Sequence, residues 1–251
     1  AMAALNPRLI YLSISAFGPD GPIAQYPGTD PVVQAMSGVM SLTGEPDGGP
    51  LLVGLPIADF SSAMVAVQAA LLGLLAREKT GRGQRIDVPM LAALVFGLTT
   101  RLAHYWATGE EPKREGSAHS TVAPYQLYRV KDGDIVAGAW TRDTWPRFCA
   151  AIGRPELATD PRFADNPERM ANRREMNAIL EPIFAAHTVA EWEHRFHEAN
   201  ALFGPVCTVP QVMAHPQLAA LGLVQSVPYS TSGPIPQLAP PIFMAETPGG
   251  I

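Results

Sequence analysis

The sequence is poor in charge and in cysteine, and each shortage argues against whole classes of function. Only 16% of its 251 residues are charged, the formal net charge is -5, and no basic run interrupts the chain. A chain without a basic patch offers little to nucleic acid or to an anionic membrane surface. The two cysteines, Cys149 and Cys207, stand far apart and outside any metal-binding spacing. They predict free, buried thiols in a reducing compartment, and hence a cytoplasmic protein.

The sequence also shows no internal repeat and no low-complexity segment. No charged segment followed by an apolar stretch opens the chain, so no signal peptide is expected. Residues 62–76 are apolar, but the run contains Gln68, ends in charged residues and is shorter than a membrane span. We expect a buried helix of a soluble protein here, and no membrane partner.

Hydrophobic residues, proline and glycine are abundant. Hydrophobic residues make up 47% of the chain, with 25 prolines and 22 glycines, which predicts a substantial core and short elements joined by loops. The first 110 residues alternate strand-like and helical runs, the pattern of an α/β layer. A polar stretch follows, and then two alternating runs around Lys131-Asp132-Gly133 predict a β-hairpin. We therefore predict a large α/β domain over 1–110, a small α+β domain over 111–225, and an extended tail over 226–251 that returns to the large domain.

One acid stands out in this pattern, Asp59 in the segment GLPIADFSSAM. An aspartate at the start of a helix is most often an N-cap, whose carboxylate accepts hydrogen bonds from the first backbone N–H groups. The same position also suits chemistry, because a carboxylate can form a covalent intermediate and a helix N-terminus can stabilise an oxyanion. Local rules favour the cap and leave the second interpretation open. Asp30, in PGTDPVV, is likewise interpreted as a cap rather than as a catalytic group.

Histidine and cysteine provide weaker candidates. His194 and His197 are spaced i, i+3, but no third ligand accompanies them, so no metal site is predicted. His119 lies in a polar loop near the predicted domain junction, where solvation is the usual interpretation and contact with a ligand the alternative. Cys207 has no neighbouring base and is interpreted as a buried thiol.

Several blocks, taken together, resemble the family III CoA-transferases, the group that includes formyl-CoA transferase and carnitine CoA-transferase. In chain order these blocks are NPRLIYLSISAFGPDGP, PGTDPVVQAMSGVMSLTGEPDG, the Asp59 segment, REKTGRGQRIDVPML, ATGEEPKREGSAHSTVAPYQLYRVKDG, GRPELATDPRF and GPVCTVPQVMAHPQL. The resemblance implies an α/β fold with a partial Rossmann-like large domain plus a small α+β domain. It further implies that the N-terminal part of the large domain is absent and that the full-length enzyme is a homodimer. It implies no permanently bound cofactor, with coenzyme A and acyl-CoA as substrates.

The resemblance also implies a reaction, the transfer of CoA between an acyl-CoA and a free carboxylic acid, with Asp59 as the catalytic residue. In this family an aspartate attacks the thioester to form a mixed anhydride. The released CoA thiolate then gives an aspartyl-CoA thioester, and an acceptor carboxylate completes the exchange. The same matching implies contacts with CoA at Ser15, Ala16, Phe17 and Met90. It implies contact with the acyl substrate at His119.

Two alternatives stay open. The first is an α-methylacyl-CoA racemase, since these racemases form a branch of the same fold. Their pattern has a histidine where this chain has Thr29 and a glutamate where it reads AWTRD, so we favour transfer over racemisation. The second alternative is a truncated, non-catalytic piece that binds acyl-CoA.

The loop GSAHSTVAPYQ lacks the tandem glycines of the formyl-CoA branch, which argues against oxalate or formate specificity and favours a dicarboxylate or another acyl donor.

Overall fold

The computed structural model describes residues 2–230, 233–247 and 249. Two compact units make up the chain, Ala1–Ser120 and Thr121–Ile251. Each unit combines helices with β-strands, which confirms the predicted α/β class.

The segment near residue 110 belongs to the first unit, although the sequence predicts a domain boundary there. The Arg114 guanidinium donates hydrogen bonds to the backbone carbonyls of Glu45 at 3.2 Å and Gly48 at 2.7 Å. The backbone N–H of Gly116 donates to the Gly44 carbonyl at 3.1 Å. These bonds attach the polar stretch to the loop at residues 44–48. The boundary between the two units therefore falls after Ser120.

The first unit packs helices around a short parallel sheet. Its elements are α1 (Met2–Leu5), β1 (Tyr11–Ser15), α2 (Asp30–Met36), α3 (Val39–Leu42), α4 (Ile57–Thr80), β2 (Arg85–Pro89), α5 (Met90–Gly97) and α6 (Thr99–Thr108). β1 and β2 pair in parallel, with Tyr11 opposite Arg85 and Ser15 opposite Pro89. The helices α2 to α4 lie in the crossover between these strands, as parallel pairing requires.

Two pairs of consecutive helices are separated at or next to a glycine. α2 and α3 are separated at Gly38, whose φ of +90° is a conformation that other residues rarely adopt. α5 ends at Gly97 and α6 begins at Thr99, with Leu98 as the junction. The intrinsic helix propensity of glycine is low, and these breaks follow from it.

α4 is less buried than the sequence predicts. Its buried residues are small, namely Ala58, Ser62, Ala66 and Gly73. The large apolar side chains of this helix are exposed, namely Phe60, Met64, Val67, Leu71, Leu72, Leu74 and Leu75. The expectation of a buried helix is therefore wrong for most of its surface, because only a narrow stripe of small residues packs against the unit.

α4 is also long and apolar enough to cross a membrane, by length and composition alone. A single helix of this kind is weak evidence, since core helices of soluble proteins meet the same test.

The second unit places helices against an antiparallel sheet. Its elements are β3 (Tyr125–Val130), β4 (Gly133–Gly138), α7 (Thr144–Ala151), a 3₁₀ helix (Pro155–Thr159), α8 (Asn166–Ala171), α9 (Arg173–Ala185), α10 (Val189–Glu198), β5 (Leu202–Pro205), α11 (Val209–Met213), α12 (Pro216–Ala220), β6 (Val224–Val227) and β7 (Ile235–Leu238). β4 lies between β3 and β5, and the predicted hairpin turns at Lys131 and Asp132. β6 and β7 form a separate antiparallel pair that begins at Val224, two residues before the predicted tail. The return of this tail to the first unit stays a prediction.

An aromatic cluster forms the core of the second unit. The rings of Phe148, Phe184, Trp192 and Phe196 are fully buried, and their centroids lie 5.0–6.2 Å apart in the contacting pairs. Burying one such side chain contributes about 1.5–3 kcal/mol, so the four rings together contribute substantially to the unit's stability.

The two cysteines differ in their surroundings. Cys149 is buried in this core, as predicted, and burial raises the pKa of its thiol to about 12. Cys207 is exposed, so its predicted burial is wrong. β5 ends at Pro205, which leaves Cys207 in the loop before α11 rather than in a strand.

Candidate active site

Asp59 lies in the first turn of α4, two residues after Ile57 begins the helix. Its side chain is exposed, and none of the described residues donates a hydrogen bond to its carboxylate. The prediction that Asp59 caps its own helix is wrong, because the N-cap residue is Pro56, which has no side-chain acceptor. The Asp59 carboxylate is therefore open to solvent at the N-terminal end of a long helix, where the helix dipole favours negative charge.

The cap of α4 comes instead from Asp30, on a different helix. Asp30 Oδ1 accepts hydrogen bonds from the backbone N–H of Ala58 at 2.7 Å and of Asp59 at 3.4 Å. Within its own helix Asp30 is the first residue, and the N-cap there, Thr29, makes no side-chain capping bond. The interpretation of Asp30 as a cap is thus correct in kind, but the helix that it caps begins 27 residues later, at Ile57.

A buried hydrogen-bond relay holds Asp30 in place. Asp30 Oδ2 accepts from Gln34 Nε2 at 2.6 Å, and Gln34 Oε1 accepts from the backbone N–H of Val53 at 3.0 Å. Asp30 is 8% exposed and Gln34 1% exposed, so these bonds are shielded from water. Sequence reasoning does not find Gln34, although its spacing of four residues from Asp30 on a helix is the usual signal for such a pair.

The backbone donors at the start of α4 are all engaged within the first unit. Asp30 takes the N–H groups of Ala58 and Asp59. The N–H of Ile57 donates to the Leu55 carbonyl at 2.7 Å, and that of Phe60 to the Pro56 carbonyl at 2.9 Å. The expectation that this helix start supplies oxyanion donors is therefore wrong, because each of these N–H groups already has an acceptor.

Two serines follow Asp59 and turn back on the helix. Ser62 is buried and its Oγ donates to the Ala58 carbonyl at 2.6 Å, while Ser61 Oγ donates to the same carbonyl at 3.2 Å. Both hydroxyls are therefore engaged with the helix backbone beside Asp59.

The residues predicted to contact CoA fall on a strand end and a helix start beside α4. Ser15 ends β1, and its Oγ accepts from the Gly18 N–H at 3.1 Å. Ala16 and Phe17 pack on the same hydrophobic cluster as Met90 and Ala58. Ala16, Phe17 and Met90 thus share a hydrophobic cluster with Ala58, the residue that precedes Asp59, and a contact with CoA stays a prediction.

Gly28 keeps this strand end close to the start of α2. A Cβ at Gly28 would lie 2.5 Å from the Ala16 Cβ and 3.0 Å from a Phe17 ring carbon. No other residue fits this approach, so the glycine of PGTD positions Ala16 and Phe17 against the segment that carries Asp30.

His119 and the histidine pair stand apart from this cluster in the chain. His119 is partly buried near the end of the first unit, and its predicted contact with substrate stays a prediction. His194 Nε2 lies 3.4 Å from Glu198 Oε1 on α10, and both side chains are exposed. Among the described residues, no group of histidine, cysteine, aspartate and glutamate is suited to hold a metal ion.

Comparison with known proteins decides the family. Residues 1–251 match the family described as "CoA-transferase family III". The chain belongs to CoA-transferase family III. The family assignment made from the sequence blocks is therefore confirmed, and the α/β architecture around Asp59 is the architecture of this family.

Named family members are similar over most of this chain. It is 39% identical over 224 residues to the acetyl-CoA:oxalate CoA-transferase of Acetobacter aceti, covering 89% of this chain and 58% of that protein. It is 35% identical over 231 residues to the human succinyl-CoA:glutarate CoA-transferase, covering 92% of this chain and 53% of that protein. The chain thus spans little more than half the length of these curated relatives.

A solved structure supports the same assignment. The crystal structure of a CAIB/BAIF family protein from Brucella suis aligns with a TM-score of 0.83 and 35% identity. The alignment covers 99% of this chain and 65% of that protein.

Proposed function

We propose that the protein transfers CoA from an acyl-CoA to a free carboxylic acid, with Asp59 as the covalent nucleophile. The observation that supports this most directly is an exposed carboxylate whose helix is capped by another residue, so that both of its oxygens are free to react. Membership in a family whose named members are CoA-transferases supports the same reaction class.

The reaction proceeds in two acyl exchanges and their reversal. The Asp59 carboxylate attacks the thioester carbonyl, the C–S bond breaks, and a mixed anhydride and CoA thiolate result. The thiolate attacks the Asp59 carbonyl of the anhydride, which releases the donor acid and leaves an aspartyl-CoA thioester. The acceptor carboxylate then attacks this thioester and displaces CoA thiolate, which finally takes the acceptor acyl group and regenerates Asp59.

Each tetrahedral intermediate places negative charge on an oxygen, and such charge needs hydrogen-bond donors that are already oriented. The N–H groups at the start of α4 are engaged, so the donors come from other parts of the full enzyme. Coenzyme A and acyl-CoA act as substrates in this scheme, and no permanently bound cofactor is involved.

Racemisation at Cα of an acyl-CoA is the second candidate. It needs two bases that face each other across Cα. This chain has Thr29 where the resemblance to racemases implies a histidine, and the neighbouring Asp30 is buried and occupied by three hydrogen bonds. These observations support transfer over racemisation.

The choice of substrates is open within the carboxylic acids. The two CoA-transferases named above act on oxalate and on glutarate, and their sequence identities to this chain, 39% and 35%, are close to each other. We propose a dicarboxylate acceptor, a cytoplasmic location and a homodimer for the full-length protein. A non-catalytic acyl-CoA-binding piece is the remaining alternative for a chain that spans about half of its relatives.

The test uses the protein that carries this chain, incubated with acetyl-CoA or succinyl-CoA and a panel of free acids. Exchange is read by mass spectrometry of the acyl-CoA products, and hydroxylamine trapping locates the adduct in the peptide that contains Asp59. Asp59→Asn should lower exchange by on the order of a thousandfold or more, because the nucleophile is lost. The matched control is Asp47→Asn, an exposed acid in the loop before α4, and it should retain exchange.

Three outcomes contradict the proposal. Exchange that survives Asp59→Asn removes the nucleophile assignment. Deuterium entering Cα without exchange indicates racemisation. Binding of acyl-CoA with neither reaction indicates the non-catalytic alternative.

A further inference from the structure

Asp30 is a buried acid whose contacts are all hydrogen-bond donors. Its two oxygens accept from the backbone of Ala58 and Asp59 and from the Gln34 side chain, at 2.6 to 3.4 Å. Among the described residues, no lysine or arginine pairs with this carboxylate. Burying a carboxylate without a cationic partner is costly, so its presence calls for a role beyond filling space.

We propose that Asp30 is a positioning residue, which fixes the orientation of Asp59 for nucleophilic attack by clamping the first turn of α4. The inference rests on the proposed function of Asp59. It adds to that function a residue on a different helix, together with the relay through Gln34 that keeps Asp30 in register.

The geometry explains how the clamp acts. The shorter bond, 2.7 Å, goes to the N–H of Ala58, and the longer bond, 3.4 Å, goes to the N–H of Asp59 itself. The first turn of a helix lacks intrahelical acceptors for these N–H groups and frays without a cap. A displacement of Asp59 by about 1 Å would cost on the order of a hundredfold in rate, because attack needs close alignment of the reacting atoms.

The relay determines which orientation Asp30 adopts. Gln34 donates to Asp30 Oδ2 and at the same time accepts from the backbone N–H of Val53 at 3.0 Å. The segment that leads into α4 and the cap of α4 are therefore held by one amide group. Reversal of that amide would oppose two donors at Val53 and two acceptors at Asp30, so only one arrangement satisfies all partners.

Burial separates this role from substrate binding. Asp30 is 8% exposed, and its oxygens are occupied, so it has no free group to offer to acyl-CoA. Its loss should therefore slow the formation of the Asp59 adduct and should leave the KM for acyl-CoA little changed. A residue that contacts the substrate would change KM as well.

The test exchanges the chemical groups at positions 30 and 34 in the protein that carries this chain. Asp30→Asn places an amide NH₂ against the Gln34 NH₂, and Gln34→Glu places a carboxylate against the Asp30 carboxylate, so each single variant opposes like groups. The double variant D30N/Q34E restores every hydrogen bond. In it, the amide oxygen introduced at position 30 accepts from α4, and the amide NH₂ at the same position donates to the carboxylate introduced at position 34. That carboxylate in turn accepts from the Val53 N–H.

The measurement is the single-turnover rate of acyl-adduct formation at Asp59, which does not depend on the fraction of folded protein. We expect each single variant to be slower by tenfold or more, and the double variant to return to within a few-fold of the wild-type rate. The control is Asp132→Asn, a carboxylate that accepts from the Val189 N–H at 2.8 Å and so caps α10 from a neighbouring turn. It should affect stability alone and leave the rate unchanged.

Three results overturn the inference. The first is an Asp30→Asn variant that forms the adduct at the wild-type rate. The second is a folded double variant whose rate stays tenfold or more below that of the wild type, which also decides the matter if either single variant fails to fold. The third is an adduct that maps to a residue other than Asp59, which overturns the proposed function together with the inference.

Discussion

Arg169 on α8 offers a direct test of what stabilises the second unit. Its side chain is 2% exposed, and its guanidinium donates to the backbone carbonyls of Ala123 at 2.6 Å and Phe163 at 3.1 Å. The guanidinium also lies 5.0 Å from the centre of the Trp145 ring. We predict that Arg169→Met destabilises this unit severely, because methionine fills much of the space and satisfies neither carbonyl.

The magnitude follows from these two bonds. A hydrogen bond to a charged group contributes about 1.5–3 kcal/mol net, and a buried carbonyl left without a partner costs a similar amount. Against this stands the cost of burying a cation, which lowers the pKa of the Arg169 guanidinium. We expect a net loss of about 3 kcal/mol, which is a large share of the roughly 5–15 kcal/mol that stabilises a typical domain.

The assay is urea unfolding followed by tryptophan fluorescence, since Trp145 and Trp192 are buried in this unit and become exposed when it unfolds. The matched control is Arg142→Met, which breaks a two-point ion pair with Asp165 on the exposed surface. Exposed ion pairs contribute little to stability, so the midpoint of this variant should hardly move. An Arg169→Met midpoint that equals the wild type, or an Arg142→Met loss of the same size, would refute the reasoning.

Two further predictions concern the same unit. Cys207 should react with a thiol reagent in the folded protein, and Cys149, whose pKa burial raises to about 12, should react only after unfolding, as peptide mapping would show. The capping box of α10 should contribute to acid sensitivity: hydrogen bonds from the backbone N–H and hydroxyl of Thr188 lower the pKa of the Glu191 carboxyl. Because the folded-state pKa of Glu191 is lowered, this carboxyl stabilises the fold at pH values above its unfolded-state pKa. That contribution is lost as the pH falls through the folded-state pKa. Thr188→Ala should therefore lower the urea midpoint at neutral pH and show a smaller further loss in acid; an equal loss would contradict this account.

Local patterns in the sequence predict the elements of the fold better than they predict its surfaces. The β3–β4 hairpin lies where the two alternating runs and the turn at Lys131 and Asp132 place it. The burial of α4 is not predicted, since periodicity shows that a helix is apolar and does not show which face finds a partner. The prediction that Cys207 is buried is wrong for a related reason, because the residue at which a short strand ends decides whether the next side chains are exposed.

Some residues of the candidate site can likewise be predicted from the sequence, and others cannot. Asp59, the strand end at Ser15 and the helix start at Met90 follow from the family blocks, and the fold brings them to one end of the first unit's sheet. The partner of Asp59 does not follow from any local rule, because the cap links residues 28 and 29 positions apart. Gln34 is missed since its role appears only when Val53 and Asp30 are both in place.

If Asp59 is the nucleophile, as we propose, capping and catalysis are carried by separate residues. The lone pairs that accept backbone N–H groups in a cap are the same lone pairs that attack a thioester, and hydrogen bonds to them stabilise the ionised group in its ground state. If Asp59 capped α4, it would have to give up those bonds before each attack. With Asp30 as the acceptor, the helix remains capped throughout, and the Asp59 carboxylate keeps both oxygens available. In the proposed mechanism, the position that local rules interpret as an ordinary cap is thus left free for chemistry, because a second acid on another helix supplies the cap.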